Sequence, residues 1–194
     1  MKTIINHPTY TAVINSTNKG WNPKFKNMFV YTDGQAVSDG FRVFWAGELA
    51  SKPLACIPTS VNSESYEVDL PAVIPQNFSY SFDLTITKEF LTSLKTLAVG
   101  SQDAVNKSTL ITFDKDLITF SYRNKITREL SIKFSETITT NQNFEPFEQA
   151  FNSEYLLDFL GAMEAGTIVT WQGNVDKPAL LSADGYSYLV ADLK

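Results

Sequence analysis

AFNSEYLLDFLGAM, residues 150–163, and KPALLSADGYSYLVADLK, residues 177–194, decide how this chain is interpreted. Asn152 and Ser153 can cap a helix, because a short polar side chain accepts a hydrogen bond from a first-turn N–H. Apolar residues then recur at helical spacing as far as Met163. The first stretch therefore predicts an amphipathic helix.

The segment after this helix has the pattern of short strands joined by tight turns. Gly166 stands where a left-handed residue commonly ends a helix. Gly173-Asn174 and Asp184-Gly185 are turn sequences that favour hairpins. The β-type runs that they separate are residues 168–171, 179–182 and 186–193. The C-terminal part is thus predicted to be one helix followed by an antiparallel meander.

These two stretches resemble the end of the third domain of the bacterial β sliding clamp. In that family a helix of the pattern F-N-x-x-Y-L-x-D-x-L precedes a hairpin, and the chain ends on an apolar strand of the kind Y-x-V-x-P-x. The helix matches at Phe151, Asn152, Tyr155, Leu156, Asp158 and Leu160. The last strand matches at Tyr188, Leu189 and Val190, whereas Asp192 stands where the family usually has proline.

A second stretch, NMFVYTDGQAVSDGFRVFWAGEL at residues 27–49, resembles the middle domain of the same clamp. Its family signature is T-D-G-x-R-L, and Ser38 to Val43 align with it in order. Between the two regions, residues 66–84 resemble the connector into the last clamp domain, and Pro71 and Pro75 bracket the expected boundary. We therefore predict a reduced N-terminal clamp-like domain over residues 1–76 and a complete C-terminal clamp domain over residues 77–194.

The pattern of the second domain repeats. A strand at residues 81–86, a helix at 87–99 and three further strands precede a linker around residues 145–148, after which the same series begins again. The predicted fold class is α+β, a DNA-clamp fold of repeated β-α-β-β-β units with antiparallel sheets outside and helices on one face. Residues 1–76 are short for a clamp domain, being either trimmed or a half-domain with extra strands, as in a shortened clamp of viral or mobile-element origin.

The composition restricts the classes of protein to which this chain can belong. The chain has 194 residues, 43% hydrophobic and 13% aromatic, so it can bury a substantial core. No apolar run approaches the roughly 18 residues of a membrane span, and the N-terminus lacks a signal-peptide pattern. The single cysteine, Cys56, excludes an internal disulfide and agrees with a reducing compartment, so we expect a cytoplasmic protein of a bacterial cell, encoded by the bacterium or by a phage.

Catalytic motifs are missing from the sequence. His7 is the single histidine and stands beside Pro8, where capping or surface exposure is the simpler role. Asp114 and Asp116 flank Lys115 in a predicted turn, which favours a solvated loop over a metal or acid–base site. There is no C-x-x-C, H-E-x-x-H or phosphate-binding loop. We predict a protein that is not an enzyme and that uses no cofactor or metal.

The resemblance implies a hydrophobic cleft that receives a short peptide from DNA polymerase and the clamp loader. An apolar groove with few polar groups suits an extended peptide. Carried over by position, the cleft residues are Ser38, Gly40, Arg42, Val43, Leu189, Val190, Ala191 and Leu193. The alternative for Val43, Leu189 and Val190 is that they are ordinary core.

The resemblance also implies a ring wall whose helices meet duplex DNA through phosphates. The candidate DNA-facing residues are Lys19, Lys24, Lys26, Lys88, Lys95, Lys107, Arg123 and Lys125. The helix beginning near Ser153 carries Glu154, Asp158 and Glu164 with no base. Nonspecific binding of DNA depends on such cations, so this acidity favours an alternative without DNA.

Three functions fit the sequence. The leading one is a DNA polymerase processivity factor that encircles duplex DNA as a homo-oligomeric ring, with a trimer favoured by two domains per chain. The second is a clamp-fold monomer that binds partner peptides without enclosing DNA. The third is a β-rich structural protein of a virus particle, against which the ordered pair of clamp signatures counts. No membrane partner is expected.

Overall fold

The computed structural model describes residues 2–16, 27–59, 68–101, 108–114, 117–123, 129–135, 139–140 and 145–193. The chain divides into two compact units. The first comprises Met1–Gln76 together with Ser182–Leu189, and the second comprises Asn77–Leu181 together with Val190–Lys194. The interpretation of these units as clamp domains stays a prediction.

Helices and strands follow one another along the chain. The helices are α1 (Pro8–Ile14), α2 (Leu70–Val73), α3 (Lys88–Gly100) and α4 (Ser153–Leu160). The strands up to residue 85 are β1 (Asn27–Val30), β2 (Gly34–Ser38), β3 (Arg42–Gly47), β4 (Ala55–Pro58) and β5 (Tyr80–Thr85). The strands of the middle are β6 (Ser108–Asp114), β7 (Leu117–Arg123), β8 (Glu129–Ser135) and β9 (Thr139–Thr140). The last strands are β10 (Phe147–Asn152), β11 (Ile168–Gly173), β12 (Ala179–Ala183) and β13 (Tyr186–Val190).

The first unit is a sheet with α1 beside it. Its strand order is β4-β1-β2-β3-β13, so β13, from the far end of the chain, lies next to β3. α1 begins with His7 as N-cap, one of the two roles that the sequence favours for this residue, and with Pro8 at the first helical position, where its missing N–H is not needed. At Asp184-Gly185 both residues have positive φ, 52° and 75°, which is the conformation of the predicted tight turn before β13.

The second unit contains two antiparallel sheets. Their strand orders are β12-β11-β5-β9 and β10-β6-β7-β8. α3 and α4 pack against each other, and each follows a strand, β5 and β10 respectively. The predicted fold class, an α+β fold of repeated β-α-β-β-β units, is confirmed.

Aromatic side chains fill the core of the second unit. Trp171 on β11 stacks on Phe82 of β5 with ring centroids 5.7 Å apart, and it meets Phe120 and Phe151 edge to face. These four residues are all 3% exposed or less. Offset and edge-to-face aromatic pairs add stability beyond the area that they bury. The alternation of buried and exposed residues on β5 gives this sheet one face in the core.

One sequence prediction about α4 is wrong. The helix starts at the expected cap, where Asn152 Oδ1 accepts from the N–H groups of Glu154 and Tyr155. It ends at Leu160 with Gly161 as C-cap, before Gly166. Gly166 does have a positive φ of 97°, but its N–H donates to the Ile86 carbonyl at 2.7 Å. The glycine therefore turns the loop toward β11 and does not cap the helix.

Candidate functional site

Residues 38–43, here called the signature turn, form a tight connection between β2 and β3. Ser38 Oγ donates to the Arg42 carbonyl at 3.0 Å and accepts from the N–H of Gly40 at 3.1 Å. Asp39 Oδ1 accepts from the N–H of Phe41 at 3.1 Å. Gly40 has φ 92°, a conformation that side chains disfavour. Ser, Asp and Gly at these positions therefore specify the turn by local hydrogen bonding and backbone freedom.

Arg42 anchors the turn from inside the first unit. Its side chain is only 2% exposed, and Nε lies 3.0 Å from Asp39 Oδ2. Nη1 donates to the Tyr188 hydroxyl at 3.2 Å, and Nη2 donates to the Ala12 carbonyl of α1 at 3.1 Å. A buried guanidinium is stabilised when its donors are matched in this way. Arg42 thus joins the turn to both α1 and β13.

The apolar cleft residues of the first unit are buried. Val43 on β3 and Leu189 on β13 are each 6% exposed, and Ser38 is also buried. Gly40 is exposed at the tip of the turn, and Phe41 is half-buried. The accessible surface of the signature turn is therefore its tip, whereas its flanking side chains belong to the core of the unit.

Residues 190–193, here called the C-terminal tail, pair with β10 in the second unit. The Leu193 N–H donates to the Ala150 carbonyl at 2.7 Å, and Phe151 and Asp192 form an antiparallel bridge. Asp192 Oδ1 accepts from the Ala150 N–H at 3.1 Å. The carboxylate of Asp192, at which the sequence departs from the clamp pattern, thus satisfies a donor of β10.

Accessibility differs along the tail. Val190 is fully buried, whereas Ala191, Asp192 and Leu193 are half-buried. The Tyr80 hydroxyl donates to Gln149 Oε1. Burial, and then the negative charge of Asp192, raises the pKa of Tyr80, so this phenol stays a neutral donor at physiological pH.

The edge of the first-unit sheet carries the single cysteine. β4 pairs with β1 alone among the described strands, and Cys56 lies opposite Phe29 in this register. Tyr31 follows Phe29 by two residues and is buried. Its pKa is raised to about 12 by burial, with Asp69 and Cys56 adding to the rise. Leu54 and Ile57 beside Cys56 are 73% and 47% exposed, which leaves this edge apolar.

The predicted DNA-facing residues fall into two groups. Lys88 and Lys95 are exposed on α3, together with Thr92, Thr96 and Val99. Arg123 is the last residue of β7. Lys19, Lys24, Lys26, Lys107 and Lys125 lie outside the described residues. On α4, Glu154 and Asp158 are half-buried, and Glu164, which follows the helix, is exposed.

Sequence reasoning missed the residues that hold the signature turn in place through Arg42. Tyr188 was assigned only as a strand residue, and Asp39 only as part of the signature. The available signal was an Asp three residues before an Arg, a spacing at which the two can pair. Nothing local indicated Tyr188 or Ala12 as partners of Arg42, because they are distant in sequence.

Solved structures with the same fold are bacterial sliding clamps. The β sliding clamp of C. crescentus is 16% identical, with a TM-score of 0.69, over 96% of this chain and 61% of that protein. The DNA polymerase III β subunit of Thermotoga maritima is 16% identical with a TM-score of 0.71 over 96% and 62%. That of Pseudomonas aeruginosa is 14% identical with a TM-score of 0.70 over 96% and 62%.

The chain therefore has the sliding-clamp fold and spans less than two thirds of the length of these proteins. The resemblance found in the sequence is confirmed at this level. No protein-family model matches the chain, and no curated protein matches it. Among the described residues, no helix is both long and apolar enough to span a bilayer.

Proposed function

We propose that this chain is a sliding clamp, a DNA polymerase processivity factor that encircles duplex DNA as an oligomeric ring. The observation that carries the proposal is the match of 96% of the chain to bacterial clamps at TM-scores of 0.69 to 0.71. The function is topological and involves no catalysis. A ring of several copies encloses the duplex, slides along it in the cytoplasm, and tethers the polymerase.

Ring closure needs contacts between copies, since a chain this short supplies few helices. The edge strand β4 is a candidate contact in the first unit, because unpaired edge strands add strands from other chains. Ile57 of β4 and Leu54, directly before the strand, are exposed and apolar, and β4 itself contains no charged residue to oppose pairing. The assembly that we favour is a trimer with cyclic symmetry.

Polymerase and clamp loader bind through short peptides in the cleft predicted from the resemblance. In the first unit, the tip of the signature turn at Gly40 is accessible. In the second unit, Ala191 and Leu193 are the accessible apolar residues of the C-terminal tail. The other apolar members, Val43, Leu189 and Val190, are buried.

The test of the ring is the mass of the protein in solution by light scattering, followed by retention on circular duplex DNA. A closed oligomer that stays on circular DNA in moderate salt, and is lost when the circle is linearised, supports topological binding. The K88E/K95E variant of α3 is expected to reduce retention, since it reverses two exposed charges that would face phosphates. K177E, at an exposed turn residue of the same unit, is the matched control.

The test of β4 uses Cys56 as a built-in probe. Reaction of its thiol with a maleimide is expected to slow as the protein assembles, because pairing of β4 covers the strand. L54K is expected to shift the protein to monomers and to restore the thiol's reaction rate. An oligomer that persists in L54K, with unchanged Cys56 reactivity, would contradict the role of β4.

A second function, a monomeric peptide-binding module of clamp fold, is favoured by the acidity of the α4 region. Glu154, Asp158 and Glu164 would repel phosphates, and α4 itself carries no basic residue. This function predicts a monomer at all concentrations that ignores circular DNA yet binds a polymerase-derived peptide. The same light-scattering experiment separates the two functions.

A further inference from the structure

His7 is built into the first unit as an uncharged hydrogen-bond acceptor. Its Nδ1 accepts from the Thr9 N–H at 3.2 Å and so caps α1. A backbone N–H can only donate, so Nδ1 must carry a lone pair, and a protonated imidazole has none to offer. The cap therefore exists only while His7 is neutral.

The surroundings of the ring also oppose a positive charge. His7 lies between Phe44 of β3 and Tyr186 of β13, with ring centroids 4.8 Å and 4.4 Å away. The cation that faces this cluster is Lys2, whose Nζ lies 4.9 Å from the Tyr186 ring centroid and donates to the Asp184 carbonyl. Phe44 carries no ionisable group. No carboxylate among the described contacts of the ring compensates a second positive charge.

α1 is connected to the signature turn by a part-buried hydrogen bond to Arg42. The Ala12 carbonyl accepts from Arg42 Nη2 at 3.1 Å, and Arg42 holds Asp39 on the other side. Thr9 and Val13 are fully buried, so opening of α1 would expose both side chains to solvent. They flank Ala12, whose carbonyl Arg42 binds. The cap, the helix and the turn thus form one continuous chain of contacts.

We propose that His7 is an acid-sensitive latch, whose protonation releases the start of α1 and thereby loosens the signature turn. Protonation removes the acceptor for the Thr9 N–H and places a cation beside Lys2 and between two aromatic rings. The helix has only 7 residues, so it depends on its cap and on tertiary packing. Loss of the cap frays it from the N-terminal end and withdraws Ala12 from Arg42.

The direction of the pH effect follows from the linkage between proton binding by His7 and opening of α1. Burial, and then the charge of Lys2, lowers the pKa of His7 from its ordinary value of 6.5. Above that value the imidazole is neutral whether α1 is closed or open. As the pH falls below it, the open form binds a proton first, so opening becomes easier, by at most about tenfold per pH unit for one group. Opening of α1 becomes no easier once the pH is below the lowered pKa of His7.

The experiment is an NMR titration between about pH 8 and pH 5, where histidine alone among ordinary side chains titrates. His7 is the only histidine, so its ring signal needs no assignment. The expected result is a midpoint below that of an unfolded peptide, with loss of amide-exchange protection in α1 and then at Gly40 and Phe41 over the same pH range. Exchange rates are corrected for the intrinsic effect of pH.

Matched variants separate the latch from general acid destabilisation. H7N keeps a capping acceptor that does not titrate, so its α1 protection should stay constant with pH. K2Q should move the His7 midpoint upward, whereas K52Q, at an exposed lysine, should leave it in place. H7A should open α1 at every pH.

A His7 midpoint at or above its ordinary value, or unchanged α1 protection across the titration, would overturn the latch. If α1 opens while protection at Gly40 and Phe41 stays constant, the link to the signature turn is wrong. Any consequence for partner-peptide binding rests on the proposed function. The titration does not, so a protein that forms no ring could still show the latch.

Discussion

The signature turn and the C-terminal tail both match clamp motifs, yet different forces hold them. The turn depends on a buried ion pair, Arg42 with Asp39, and on contacts to Ala12 and Tyr188. The tail depends on main-chain pairing with β10 and on one half-buried carboxylate, Asp192. A motif match therefore identifies where a surface lies, but not how much free energy fixes it.

The signature turn and the C-terminal tail should therefore tolerate substitution to different degrees. Removing one partner of a buried ion pair leaves an uncompensated charge, which costs far more than the loss of one hydrogen bond at a partly exposed site. We therefore expect the turn to be rigid and intolerant of substitution. The tail should be adaptable, as the proposed binding of peptides would require.

The largest expected effect is that of R42A. It leaves Asp39 buried without its cation and should lower the free energy of unfolding of the first unit by about 3–5 kcal/mol. Amide exchange in β2 and β3 under native conditions measures this loss. The double variant D39A/R42A should lose less than the sum of the two single variants, since both charges are gone. A loss in R42A of less than about 1 kcal/mol would mean that the ion pair does not hold the turn.

A loss of stability of intermediate size is expected from G40A. Gly40 has φ 92°, and an alanine there should cost about 1–2 kcal/mol of strain. G40N should cost less, because asparagine tolerates positive φ better than alanine does. The unfolding free energies of the two variants give the comparison. Equal stability of G40A and the wild type would show that the turn can rearrange without cost.

The smallest effect is expected in the tail. D192A removes the acceptor of the Ala150 N–H and should cost about 1 kcal/mol or less, with faster exchange at Ala150 and Leu193. D192N keeps a side-chain oxygen and should lose less than D192A. D114A, at an exposed carboxylate that ends β6, is the control. If D192A lowers the free energy of unfolding as much as R42A does, the turn and the tail are not held by forces of different strength.

Much of the fold could be predicted because local signals agreed with one another. The cap at Asn152, the glycine turn at Gly185 and the alternation on β5 each act over a few residues, and each is found where the pattern indicated. α2 was missed. Its Asp69 cap and early proline were visible, but its length of 4 residues is too short for a periodic pattern.

The candidate site could be predicted only in outline. The contact of Arg42 with Tyr188 spans 146 positions, so no local pattern reports it. The role of Asp192 depends on which strand edge lies opposite, which is a tertiary property. Burial of Val43 and Leu189 was one of two open interpretations of the same residues, and strand alternation alone could not decide between them.

The first unit is assembled from both ends of the chain, since Ser182–Leu189 belongs with Met1–Gln76. On the ribosome, β3 must wait for β13, which is synthesised long after it. A fragment that stops at Gln76 would lack Tyr188 and Tyr186, and so would lose one of the acceptors of Arg42 and one ring beside His7. A synthetic peptide spanning residues 182–189, supplied in trans, should complement that fragment. The two pieces would make a split reporter for folding of the first unit.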